Sequence, residues 1–151
     1  DLMAQFDPAS PNALPHAGTF NNNVMSMAAG YAGLSQVFTP DAADDLYELG
    51  EAFKARLNEV ANARGVGIQV TGCGSILGIH TLSHAIRTPH DSEDPVPDRQ
   101  PLIHLEMMLR GFVYAQRGYM TLSLAMTDDD LDGFADAFGE VLSLHGDLLG
   151  G

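Results

Sequence analysis

The 151-residue sequence predicts an α+β fold with a small, mainly antiparallel sheet and helices packed on it. Three observations carry that prediction. Two long stretches keep apolar residues at helical spacing: Leu46, Leu49, Phe53, Leu57 and Val60, then Leu131, Phe134, Phe138, Val141 and Leu142. Short β-prone runs come in pairs around glycine turns. The order along the chain is helix, helix, two strands, helix, two strands, helix, which is a layered α+β pattern rather than alternating βαβ units. The length suits one ordinary domain with a core, and 45% hydrophobic residues exclude a disordered chain.

Residues 1–15 combine an apolar start with Pro8, Pro11 and Pro15, predicting a helical turn and then an extended loop. Residues 24–38 follow as a helix rich in Ala28, Ala29, Gly30, Ala32 and Gly33. Its glycines weaken it by propensity, and predict close approach of another backbone along one face. Thr39, Pro40 and Asp41 form a helix start, with a hydroxyl, proline at the first position and then an acid. That helix runs to Arg64, where Gly65 stops it.

Residues 66–70 and 75–80 read as two strands around the turn Gly72-Cys73-Gly74. Residues 87–99, RTPHDSEDPVPDR, are an acidic, proline-rich loop. Leu102, Leu105, Met108 and Leu109 mark a helix that stops at Arg110-Gly111. Residues 112–115 and 120–124 read as a further strand pair with Arg117 between them. The last helix starts at Thr127, with Asp128, Asp129 and Asp130 where the helix dipole favours acids.

The balance of 7 Lys and Arg against 20 Asp and Glu gives a net charge of −13. Nucleic acid and anionic membrane both require a basic surface, so neither is expected as a partner. One cysteine excludes an internal disulfide framework. No apolar run reaches the roughly 18 residues of a membrane span, and no signal-peptide pattern is visible, so the expected location is the cytoplasm. A start at Asp1 rather than Met suggests a processed or excised piece.

Motifs then narrow the reading. The stretch GTFNNNVMSMAAG, residues 18–30, resembles a segment of class III pyridoxal-phosphate-dependent aminotransferases, nearest to the glutamate-1-semialdehyde aminomutase branch. TGCGSILGIH at 71–80 is similar to the family's G-x-G-S-M-F strand pair. LEMMLRGFVY at 105–114 is similar to its ML-x-RGVY stretch, and LS followed by MTDDDLD at 122–132 to its closing segment. Their order and spacing are collinear with the family over nearly the whole chain. Val24 stands where the family often has proline.

The resemblance implies the C-terminal part of a fold-type I pyridoxal-phosphate enzyme. Residues 1–38 would end the large cofactor-binding domain, and residues 39–151 would form the small C-terminal domain. It implies a homodimer acting on an amino acid or amino ketone, with pyridoxal 5'-phosphate as cofactor. Gly18 and Thr19 would contact the phosphate of the cofactor held by the neighbouring subunit. Asn23 would cap or orient the loop, and His16 would stand near the cofactor. Arg117, in an R-G turn resembling that of family members acting on β-amino acids, would clamp a substrate carboxylate. The aminomutases usually have another sequence here, which shifts the reading towards a transaminase.

The family's cofactor-bearing lysine lies upstream of the Gly-Thr motif, so the chain alone is expected to be inactive. The one lysine, Lys54, is mid-helix and reads as a solvated side chain. No residue is expected to be catalytic. His80, His84 and His90 span a strand end and a loop and are not expected to hold a metal. Cys73 reads as a bland buried thiol rather than a nucleophile. The competing reading is a non-enzymatic α+β oligomerisation or binding module, with the Ala/Gly-rich helix as its contact.

Overall fold

Contacts divide the chain into two units, Asp1–Thr39 and Pro40–Gly151. The structure, a computed structural model, describes residues 2–16, 18–19 and 23–149.

The first unit opens with a 3-10 turn, Leu2–Phe6, and a loop closed by the Leu14 N–H donating to the Gln5 carbonyl at 2.8 Å. Helix α1, Val24–Ala32, follows and widens into a π-type turn, Gly33–Val37. None of the described residues in this unit is buried. Val24, Met25, Tyr31 and Leu34 are each more than 65% exposed, so α1 carries an apolar surface without a core beneath it. No atom lies within 4 Å of the place a Cβ would take on Gly30 or Gly33. Within this chain, the expected close backbone approach at those glycines is absent among the described residues.

The second unit holds the core. Helix α2, Pro40–Ala63, buries Leu46, Gly50, Phe53, Leu57 and Ala61, a stripe set by the 3.6-residue period. It ends as expected: Gly65 takes φ +66°, and the Val66 N–H returns to the Ala61 carbonyl. Strands β1, Gln69–Cys73, and β2, Ile76–His80, pair antiparallel from Gln69 opposite His80 to Cys73 opposite Ile76. The turn therefore falls at Gly74 and Ser75, not at Gly72 to Gly74. Residues 66–68 are not strand, because they are spent on the exit from α2 and on the turn closed by the Ile68 N–H.

Beyond a loop, whose short 3-10 turn Pro89–Ser92 is closed by a capping box of Thr88 and Asp91, comes helix α3, Arg99–Leu109. Strand β3, Tyr119–Thr121, completes the sheet in the order β1-β2-β3. Residues 112–115 are not strand, contrary to the expectation, because their only ladder-like bond is from the Ala115 N–H to the Tyr119 carbonyl at 3.0 Å. Helix α4, Asp128–Leu149, closes the chain. Thr127 and Asp130 satisfy each other's groups at its start, with the Asp130 carboxylate accepting from the Thr127 N–H at 2.8 Å.

One face of the sheet (Val70, Leu77, Ile79, Met120), with Ile68 and Leu122 just beyond its strands, is buried under the helices, and alternation leaves Gln69, Thr71 and His80 on the other. Phe138, Val141 and Leu142 of α4 and Ile103 and Met107 of α3 fill the same core.

Helix α2 is joined to the sheet by polar contacts that no periodicity announces. Asn58 donates to the Val70 carbonyl and accepts from the Val70 N–H, both at 2.9 Å, as though it were a strand residue. A Cβ on Gly50 would collide with the Gly74 carbonyl group. Replacing a helical glycine by alanine ordinarily stabilises by up to about 1 kcal/mol. Gly50→Ala is expected to do the opposite, losing about 1–3 kcal/mol through overpacking, read as a lower urea midpoint.

Candidate functional site

Gly18 and Thr19 lie in the loop before α1, and both are exposed. Asn23 is the cap of that helix: its Oδ1 accepts from the Ser26 N–H at 3.0 Å. Thr19 is thus not the helix cap, and its hydroxyl has no protein partner among the described residues. Phe20, Asn21 and Asn22, which belong to the same motif, lie outside the described residues. An exposed glycine and threonine ahead of a helix whose cap is already supplied form a donor set that fits a phosphate oxygen. The His16 ring meets Phe6 edge-on at 5.6 Å.

Arg117 lies in the second unit. The turn between residues 115 and 119 is closed by the Gly118 N–H donating to the Ala115 carbonyl at 2.8 Å, with Gly118 at φ +89°. No side chain fits at Gly118, where a Cβ would strike the Ile79 carbonyl and the Gln100 amide. The exposed Arg117 guanidinium rests over the Tyr119 ring at 5.7 Å rather than on a carboxylate. Arg117 and Gln100 line an open crevice of about 510 Å³. Gln100 donates to the Ile79 carbonyl at 3.0 Å, while its Oε1 is buried without a protein partner.

A second opening, about 670 Å³, lies between residues 111–115, β3 and the start of α4, with Phe53 and Phe134 in its walls. The buried Tyr114 hydroxyl has no protein partner, and burial pushes its ionisation well above the ordinary phenol value.

The other candidates are held in structural roles. Lys54 Nζ pairs with Glu51 at 2.7 Å and donates to the Gly72 carbonyl at 3.0 Å, tying α2 to the β1–β2 hairpin. Lys54 thus has a definite structural task rather than the merely solvated one read from the sequence. Glu51 also accepts from the Gly74 N–H, and these bonds, the Lys54 one first, hold its carboxyl below the usual range. Cys73 is exposed, not buried as expected, because strand alternation puts it with Gln69 and Thr71 on the face away from the core; Tyr47 beside it is raised by Glu51 first and then by the cysteine. His80 Nε2 lies 2.9 Å from Thr71 Oγ1, His84 Nε2 2.9 Å from the Asp91 carbonyl, and His90 pairs with Glu93 at 3.7 Å.

Sequence reasoning missed one cluster altogether. Arg110 spans Glu106 at 2.6 Å and Glu140 at 3.3 Å, and His145 Nε2 lies 3.2 Å from Glu106, without alignment for a full hydrogen bond. This network joins α3 to α4. The Glu106-Arg110 spacing of four was a readable signal, whereas the partners on α4 were not.

No family model matches this chain. It is 43% identical over 149 residues to the β-phenylalanine transaminase of Variovorax paradoxus, covering 99% of this chain and 34% of that protein. The crystal structure of the Variovorax enzyme superposes with a TM-score of 0.92 at 42% identity, again over 99% of this chain and 34% of that one. A glutamate-1-semialdehyde 2,1-aminomutase of Campylobacter hominis is 29% identical over 125 residues, 80% of this chain and 27% of that protein. A transaminase solved with pyridoxal phosphate bound is 26% identical, with a TM-score of 0.74 over 96% of this chain and 34% of that one.

The homologues are thus class III aminotransferases and glutamate-1-semialdehyde aminomutases, which depend on pyridoxal phosphate, and this chain matches them as an α+β fragment. This chain corresponds to their C-terminal portion and spans about a third of their length.

Three carboxyl groups set an acid limit on stability. Glu106 is held below 4.5, chiefly by Arg110; Asp91 below 3.8 by the Arg87 and Thr88 N–H groups; and Asp130 below 3.8 by Thr127. Because the folded values are the lower ones, the stabilisation is complete above the ordinary carboxylate range and lost as pH falls through the folded values. Melting temperature is expected to fall steadily below about pH 4.5, and Glu106→Gln to flatten that acid limb while lowering the plateau at pH 7.

Proposed function

We propose that this chain works as the C-terminal portion of a pyridoxal-phosphate-dependent class III aminotransferase or aminomutase. In that reading it contributes dimer surface, a contact to the cofactor phosphate and a clamp for a substrate carboxylate. The observation that carries the reading is 43% identity over 99% of the chain, at a TM-score of 0.92.

When bound, pyridoxal phosphate supplies the electron sink that eases proton removal at the amino-bearing carbon. The chain's own residues do the rest. Gly18 leaves room for close backbone approach, and the Thr19 hydroxyl donates to a phosphate oxygen of the cofactor in the neighbouring subunit. Arg117 leaves the Tyr119 ring to meet a carboxylate with two parallel N–H donors. The exposed apolar surface of α1 supports a subunit contact. Lys54 is engaged by Glu51 and the Gly72 carbonyl, which supports inactivity of the chain by itself. The R-G turn at Arg117 and the Variovorax relative favour a β-amino acid as substrate over a semialdehyde.

The test is made on the full product of the gene, loaded with pyridoxal phosphate. Thr19→Ala is expected to weaken cofactor binding about tenfold to 100-fold, the equivalent of one hydrogen bond to a charged group. Arg117→Ala is expected to raise KM for the amino acid by a similar factor with little change in kcat, because it removes binding common to ground and transition states. A product that takes up no pyridoxal phosphate and transaminates no amino acid would overturn the reading in favour of a binding module.

A further inference from the structure

Residues 112–115 have the character of a strand without its bonds. Val113 is 80% exposed and Tyr114 only 6%, an alternation of period two. The Phe112 N–H turns back to the Met107 carbonyl, and the Ala115 N–H reaches the Tyr119 carbonyl. Between them, the backbone groups of Val113 and Tyr114 make no protein hydrogen bond among the described residues. Across the groove, the Ile79 N–H donates to the Gly118 carbonyl and the Leu122 N–H to the Ser75 carbonyl. In an antiparallel pair, bonded positions alternate, so residues 118, 120 and 122 face β2 while Tyr119 and Thr121 turn their backbone groups outward. A strand edge whose Tyr119 carbonyl is taken by Ala115 but whose Thr121 groups are unmatched thus borders an aromatic groove, and in its wall the buried Tyr114 hydroxyl lacks a protein partner.

We propose that this groove receives an extended segment of polypeptide from outside these 151 residues, which adds as a strand along the outward edge of β3. The proposal rests on the reading of the chain as part of a longer aminotransferase. The relatives it matches are about three times its length, so two thirds of such a polypeptide is available to supply the segment. The backbone of the incoming segment pairs with the Thr121 groups and the Tyr119 N–H, the Tyr119 carbonyl being held by Ala115. Alternate apolar side chains enter between Phe53, Phe112 and Phe134, and one carbonyl accepts from the Tyr114 hydroxyl. A small ligand would leave the row of backbone groups unmatched; a strand satisfies all of them together.

Amide hydrogen exchange tests this on two samples, the 151-residue chain and the full product of its gene. The Val113 and Thr121 amides are expected to exchange freely in the first and about 100-fold more slowly in the second. The Thr121 N–H points away from β2, so Thr121→Pro removes it without breaking the β2–β3 pairing. That variant of the full product is expected to lose the slow exchange at Val113 while its isolated chain keeps the parent melting temperature. Should it fail to fold, Val113→Lys is expected to give the same loss. Free exchange in the full product overturns the proposal, and so does slow exchange in the isolated chain, whether at all concentrations or growing with concentration as a second copy fills the groove. The pyridoxal absorbance of the same sample separates the two ideas. Free amides beside an intact pyridoxal band sink the groove alone; a missing band sinks the aminotransferase reading and the groove with it.

Discussion

The approach of helix α2 to the β1–β2 hairpin is the constraint on which the second unit depends. Gly50 permits it by having no side chain, because the Gly74 carbonyl occupies that space. Asn58 then pairs with both backbone groups of Val70, Lys54 binds the Gly72 carbonyl in β1, and Glu51 binds the Gly74 N–H in the turn. These contacts fix the distance at which Phe53 and Leu57 meet Val70 and Leu77 and close the core. Helix α4 packs on α2 across Arg64, which reaches Ser143 and the Val60 carbonyl, and so inherits its position from the same junction.

The two units differ in kind. The second buries a full face of its sheet, whereas the described part of the first buries nothing and displays Met25, Met27 and Tyr31. A helix as apolar as α1 gains little from its own chain, and tertiary packing supplies most helix stability. Its two glycines lower its propensity further. Its exposed apolar side chains are the ones the proposed subunit contact would use.

How much of this the sequence revealed depends on the kind of signal. Helices α2 and α4 were legible because burial imposes a 3.6-residue period, and their starts because proline and hydroxyl or acidic residues have special value there. The strand at 112–115 was misread for a physical reason: its composition and alternation are those of a strand, but strand formation needs a partner edge, which sequence pattern does not encode. The turn at Gly74-Ser75 was misplaced by the neighbouring Gly72, since either glycine tolerates positive φ. The cap of α1 by Asn23 was legible from its position. The Glu106–Arg110–Glu140–His145 cluster was legible only along α3, because contacts across helices depend on the fold being known. Gly18, Thr19 and Arg117 were singled out by resemblance, and nothing local in their spacing would have selected them over other loop residues.

Lys54 gives the junction a chemical consequence. It is the one side-chain amine of the sequence, and it is shared between Glu51 and the Gly72 carbonyl. A protonated amine held in an ion pair is a poor nucleophile towards an aldehyde. Pyridoxal itself is an aldehyde, so a solution rich in cofactor continually probes every accessible amine. In this chain the one side-chain amine open to such capture leaves both of its partners when α2 lifts from the hairpin. Adduct formed there would act as a chemical clock of local opening, recording how often the junction comes apart.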